Sequence, residues 1–209
     1  MSHWNWNNIN SYYWQEPANE VYYYLYKWMY NEGTKNLLDL GAGIGRHSIL
    51  FANHGFNVTA FDSSFSGLKQ IEKNNNSNIL TVLGDMSDLS FNDESFDYII
   101  AFNSIYHTNR VGLKKIINEL YRVTIKGGEV FLTMLSKYDQ FYVTNSAKLE
   151  SDGTIFKKEE DGAILPHVFV DYEEIRNIFA QFSLESIRHI ETYHDNNSHC
   201  HFHIHLRKT

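Results

Sequence analysis

Three acidic residues and a glycine turn are the first groups in this chain whose types and spacing point to chemistry. Gly41, Gly43 and Gly45 lie in LLDLGAGIGRHS, where an apolar run ends and a helical pattern begins. A glycine turn of this kind lets the backbone approach a nucleotide-like ligand closely. The dinucleotide fingerprint wants G-x-G-x-x-G, and the position that would carry its last glycine is the bulky Arg46. Asp62, which closes NVTAFD, stands about where an acid bonding ribose hydroxyls is needed. Asp85, in LTVLGDM, suits an adenine amino group. Asp39 lies so near the glycines that it would repel a pyrophosphate and favour a ligand with a cationic amine.

A second constellation closes the chain. In HCHFHIHLRK, His199, His201, His203 and His205 alternate with apolar residues, so on a strand all the imidazoles share one face. At about 3.3 Å per residue they span roughly 20 Å, too far for one metal site. The expected arrangement is a terminal strand with its apolar side inward and its histidines toward solvent or a cap. No metal is expected there or elsewhere in the chain.

The elements that position these groups are legible as a βα alternation. Strand-like runs cover Asn36 to Leu40, Asn57 to Phe61, Asn78 to Leu83, Phe96 to Phe102 and Glu129 to Leu135. Helical spacing appears over Arg46 to His54, Phe65 to Asn74 and Val111 to Val123, the last with Leu113, Ile116, Ile117 and Leu120 on one face. Lys126-Gly127-Gly128 reads as a turn before the fifth strand. Ser136 to Pro166 is polar and irregular, with Asp152-Gly153 and Asp161-Gly162 turns, and reads as a lid or cap. A helix from Asp171 to Phe182 follows, with Asp171 and Glu174 forming a capping box. Leu184 to Tyr193 and His199 to Arg207 then make an antiparallel hairpin, turning at Asp195 to Asn197. Ahead of the sheet, Glu20 to Tyr30 reads as a helix with Val21, Tyr24, Leu25 and Trp28 on its core face.

Composition narrows the class. The chain has 209 residues, 43% hydrophobic and 15% aromatic, which fits a folded domain rather than a disordered chain. A net charge of −7 argues against nucleic acid as a substrate. Cys200 is the only cysteine, so there is no internal disulfide and no thiolate cluster for zinc. The opening MSHWNWNNIN has neither a basic nor an apolar leader region, and no apolar run reaches membrane-spanning length. Cytoplasmic residence is therefore expected. Abundant Asn, Ile, Tyr and Lys with two prolines suggest an AT-rich, bacterial genome.

Five blocks in order resemble the class I S-adenosylmethionine-dependent methyltransferases: LLDLGAGIGRHS, TAFDSS, GDMSDLSF, FDYIIAFNSIYHT and ELYRVTIKGGEVFLTML. They cover Asn36 to Leu135 and look most like the small-molecule, ubiquinone-biosynthesis or tellurite-resistance type. The resemblance implies a Rossmann-like α/β fold, a seven-stranded, mainly parallel sheet with helices on both faces and an antiparallel terminal hairpin. It implies one domain over residues 1–209: an aromatic cap segment to residue 33, a cofactor core over 34–135, a substrate cap over 136–170, and a closing helix and hairpin. It places Gly41, Ala42 and Gly43 against S-adenosylmethionine, with Asp39 orienting the loop or meeting the amino group through water. Asp62 with Ser63 serves the ribose, Asp85 and Met86 the adenine, and Phe102 and Asn103 the methionine moiety. For Met86, plain packing is the competing reading.

Methyl transfer from a sulfonium is an in-line displacement that depends chiefly on alignment and exclusion of water. A base is needed only if the acceptor arrives protonated, and the candidates are His107 in SIYHT and His167 in LPHVF. Tyr12, Tyr13 and Trp14 are expected to close over the ligands, with Tyr106, His199 and His201 bordering the substrate. Asn103-Ser104-Ile105-Tyr106 departs from the Asn/Asp-Pro-Pro-Tyr of enzymes that methylate exocyclic amines of bases or glutamine. A small-molecule O, N or S acceptor is expected, with no nucleic acid or membrane partner. The rival readings are a non-catalytic S-adenosylmethionine or S-adenosylhomocysteine binder, and a metal protein using the histidine strand.

Overall fold

The computed structural model describes residues 5–8, 12–33, 35–74, 76–194 and 197–209. Helix α1 (Asn19–Met29) precedes β1 (Asn36–Leu40), α2 (Arg46–Ala52), β2 (Asn57–Asp62), α3 (Phe65–Glu72), β3 (Ile79–Leu83) and β4 (Phe96–Ala101). Helix α4 (Arg110–Val123) runs directly into β5 (Thr124–Ser136), which α5 (Gln140–Asn145), β6 (Thr154–Lys158) and β7 (Ile164–Val170) follow. Helix α6 (Tyr172–Ile178), β8 (Ser183–His194) and β9 (Asn197–Arg207) complete the chain.

The strands β3-β2-β1-β4-β5 are parallel, and β9 adds antiparallel to β5 with β8 outside it. The order reverses between β1 and β4, and in open α/β sheets that switch point opens a crevice at the carboxyl ends of the strands. The sheet has nine strands where seven were expected. The additional pair, β6 and β7, comes from the segment expected to be irregular. There the alternation buries Ile155, Leu165 and His167 while Phe156 and Ile164 stay exposed, and the Asp161-Gly162 turn closes the hairpin. The polar residues of TIFKK concealed a half-buried strand.

Strand β5 differs too. It begins at Thr124, opposite Phe96, and resumes pairing with Glu129 opposite Tyr98, so Lys126-Gly127-Gly128 is an irregularity within the strand rather than a turn before it. Helix α6 is shorter than its pattern suggested, ending at Ile178, yet its Asp171–Glu174 capping box is formed in both directions. Of the turn expected at Asp195 to Asn197, Asp195 and Asn196 lie outside the described residues and Asn197 already opens β9.

Helices cover both faces. Leu113, Ile116, Ile117 and Leu120 of α4 pack on one side with Ile175 of α6; Val21, Tyr24, Leu25 and Trp28 of α1 pack on the other against Phe51, Phe102 and Phe131. That second covering overturns the expected orientation of the histidine strand. Because β9 is flanked by β5 and β8 and roofed by α1, His203 and His205 are buried, at 7% and 6% exposure. Glu129 anchors this layer by accepting hydrogen bonds from Lys27, Trp28, His205 and Arg207.

Candidate cofactor and substrate site

The glycine turn follows β1 because Leu37, Leu38 and Leu40 bury that strand while Gly41 and Gly43 adopt positive φ (+81° and +57°) that side chains resist. A Cβ on Gly41 would come within 2.3 Å of the Ser104 Cβ, and one on Gly43 within 2.5 Å of the Trp6 indole. Ala42 is buried between them. The turn is held from both sides. Asp62, at the end of β2, accepts from the Gly43 N–H through Oδ2 (2.8 Å) and from the Ser64 N–H through Oδ1 (2.7 Å). Ser104 donates its hydroxyl to the Leu40 carbonyl (2.7 Å).

Asp39 is buried under the turn and accepts the Ser48 hydroxyl at 2.6 Å, tying β1 to α2. Burial is the main force on its carboxyl and pushes its pKa up to about 6, against the lowering effect of the Ser48 bonds. Ser63 and Asp85 are half-buried at the same edge, and Asp85 accepts from the Ser87 N–H (2.8 Å). Met86 packs against the core from that side.

Past β4 the chain turns sharply. Asn103 has φ +54°, uncommon outside glycine, and is fixed by Thr133 on β5, whose hydroxyl accepts its N–H at 2.7 Å and donates to its side-chain oxygen at 3.0 Å. Phe102 is buried among Phe131, His203 and His47. Tyr106, also buried, accepts the Val168 N–H on its carbonyl, and its hydroxyl lies 3.4 Å from His201 Nε2. Burial, with His203 and His199 adding to it, lowers the His201 pKa to about 3.

The fold brings the two histidines proposed as bases together. The ring centroids of His107 and His167 are 4.6 Å apart, and the Tyr106 ring is 4.6 Å from His107 and 6.2 Å from His167. Burial, reinforced by His167, holds the His107 pKa well below the ordinary histidine value. His199 is more open, with its Nδ1 3.9 Å from Asp139.

The N-terminal segment lies across this edge. Arg46 Nη1 donates to the carbonyls of Tyr13 (2.8 Å) and Glu16 (3.1 Å), and its guanidinium is 5.2 Å from the Tyr13 and Trp14 rings. Trp14 Nε1 donates to Glu160 (3.1 Å), and the Asn5 N–H to Asp161 (2.8 Å), both in the β6–β7 turn. Tyr12 and Tyr13 remain largely exposed. Sequence reasoning missed Trp6, Arg46 as a latch, and Glu159. Trp6 was detectable only as one more aromatic, and Glu159 sits in a charge run that looks like a solvated turn.

Comparisons with known proteins bear on the family and the fold of the chain that carries this arrangement. A "Methyltransferase domain" family model matches residues 38–132. Over that stretch, just under half of its length, the chain is similar to a methyltransferase domain. A demethylmenaquinone methyltransferase from Renibacterium salmoninarum is 32% identical over 102 residues, 49% of this chain and 42% of that protein. A probable S-adenosyl-L-methionine-dependent methyltransferase, TehB, from Haemophilus influenzae is 32% identical over 95 residues, 44% of this chain and 33% of that protein. The chain thus spans less than half the length of these curated relatives. Among solved structures, a methyltransferase from Methanosarcina mazei superimposes with a TM-score of 0.75 at 19% identity, covering 92% of this chain and 98% of that one. That likeness extends the fold well beyond the domain match. No helix of the described residues is long and apolar enough to cross a membrane.

Proposed function

We propose that the chain transfers the methyl group of S-adenosylmethionine to a small-molecule O, N or S nucleophile. The observation that carries this is the glycine turn at the sheet's switch point, with Asp62 at the end of the neighbouring strand tied to the Gly43 N–H at 2.8 Å. The turn suits the cofactor because its surface is backbone, and because Arg46 is engaged by the Tyr13 and Glu16 carbonyls while Asp39, Asp62 and Asp85 favour amine and hydroxyl donors over phosphates. When bound, S-adenosylmethionine supplies a methyl already activated on a sulfonium.

The protein's share is placement. Asp62 and Asp85 receive ribose and adenine donors, while the Asn103 turn sets the floor near the methionine end. Trp6, Trp14 and the β6–β7 hairpin exclude water from above. His107 and His167, beside Tyr106 and His201, border the acceptor.

Calorimetric titration with S-adenosylmethionine tests the reading. One saturable site is expected, weakened about a hundredfold in Asp62→Ala, which removes a charged hydrogen-bond acceptor (roughly 3 kcal/mol). A folded wild-type protein that binds no S-adenosylmethionine sinks it.

A further inference from the structure

We infer that His107, Glu159 and His167 hold a divalent zinc ion at the carboxyl end of β4. One ligand atom from each lies within 4.8 Å of the others, and among the described residues no other group of three histidine, cysteine or acidic side chains does so. Ligands sharing one zinc at about 2.1 Å stand roughly 3–4 Å apart, and His167 Nε2 and Glu159 Oε1 already stand 3.0 Å apart. From sequence no metal is expected anywhere in the chain, and the alternating histidines of β9 are the ligands it tempts one to weigh; these residues lie elsewhere, one in the β4–α4 loop and two in the β6–β7 hairpin.

The hydrogen bonds around His167 argue for a cation. Its Nδ1 lies 2.9 Å from the Leu165 carbonyl, an acceptor, so Nδ1 carries the proton. In the neutral ring Nε2 then bears a lone pair, and it stands 3.0 Å from Glu159 Oε1. Both side chains are nearly inaccessible, at 1% and 8% exposure. A lone pair set against a buried carboxylate is unfavourable unless a positive centre lies between them. A proton would satisfy that pair alone, whereas a metal ion would also use the adjacent His107. The backbone partners resemble those that orient metal-ligating imidazoles: Leu165 for His167, and the Asn103 backbone for His107.

Two imidazoles and one carboxylate suit zinc better than magnesium or calcium, which prefer oxygen ligands. Three protein ligands leave a fourth position open. If the proposed methyl transfer holds, that position is where an acceptor hydroxyl, thiol or amine would be held. His107 and His167 would then act as ligands rather than as bases.

The test uses the untagged full chain, stripped with chelator and titrated with Zn²⁺ by calorimetry, with elemental analysis after dialysis. One zinc per chain is expected, raising the melting temperature of the wild type. Glu159→Gln and His167→Asn should each weaken binding by about a hundredfold or more. His203→Gln, on β9, should bind as the wild type does. Circular dichroism confirms that each variant is folded, and the near-isosteric Glu159→Gln keeps the test valid if His167→Asn is not. Absence of saturable zinc binding overturns the inference, as does binding that survives Glu159→Gln. S-adenosylmethionine is titrated separately: its binding without zinc sinks the metal site alone, and zinc without it sinks the methyltransferase reading alone.

Discussion

Arg46 grips the backbone of Tyr13: its Nη1 donates to the Tyr13 carbonyl at 2.8 Å while its guanidinium lies 5.2 Å from the Tyr13 ring. The residue that rules out a dinucleotide fingerprint is therefore the one that fastens the N-terminal segment over the glycine turn. Helix α2 carries Arg46 in its first turn, so the glycine turn and the N-terminal segment share one anchor. Its neighbour His47 adds a second, accepting the Ala18 N–H at 3.2 Å.

Arg46→Lys should release that segment although charge is kept. An ammonium cannot reproduce the planar fork and ring stacking of a guanidinium. We expect S-adenosylmethionine to bind about tenfold more weakly and limited proteolysis to cut ahead of α1 faster, while the urea midpoint of the core barely moves. Proteolysis identical to wild type would mean that Trp6 and Trp14 hold the segment without Arg46.

Glu129 should prove the strongest single polar contributor to stability. It is 4% exposed and serves Lys27, Trp28, His205 and Arg207 together. Burial pushes its carboxyl pKa up, but the bonds from His205, Lys27 and Trp28 outweigh that and hold it well below the ordinary 4.5. Its stabilising share is thus full above pH 4.5 and disappears only as pH falls through the depressed folded value. Glu129→Leu should cost about 2–4 kcal/mol in urea unfolding at pH 7, since it leaves the buried Trp28 N–H and the His205 ring without their acceptor and removes the shared partner of Lys27 and Arg207. A loss below about 1 kcal/mol would show that water replaces the carboxylate.

How far these features could be read from the chain depends on how local their causes are. β1 is reproduced residue for residue, and β2 and β4 to within one residue, because continuous apolar runs bounded by Asp, Gly or Asn allow few alternatives. The Asp171–Glu174 box was legible for the same reason: both partners lie within one helical turn. Strands β6 and β7 were not, since Lys157, Lys158, Glu159 and Glu160 give the hairpin a solvated look that only its docking beyond β4 corrects. Burial of His203 and His205 depends on α1 crossing β9, a contact between opposite ends of the chain that no local pattern records. The proximity of Glu159 to His167 and His107 is likewise a product of topology.

Asp39 offers a test in which stability and binding move in opposite directions. Its folded pKa, about 6, is above the ordinary carboxyl value of 3.8, so the folded protein holds that proton more tightly than the unfolded chain. The resulting stabilisation is full at low pH and is lost as pH rises through about 6, leaving the folded state to carry a buried charge. Asn keeps an oxygen for the Ser48 hydroxyl and has no charge to bury. Asp39→Asn should therefore gain roughly 2–3 kcal/mol over wild type at pH 7.5, and the gain should vanish near pH 4, as urea midpoints at both pH values would show. If the carboxylate also faces the amino group of S-adenosylmethionine through water, the same variant should bind that ligand about tenfold more weakly. A variant no more stable than wild type at pH 7.5 would mean that the Asp39 charge is already compensated in the fold. Arg46 is then the group to examine, because its charge is the one acting to lower the Asp39 pKa.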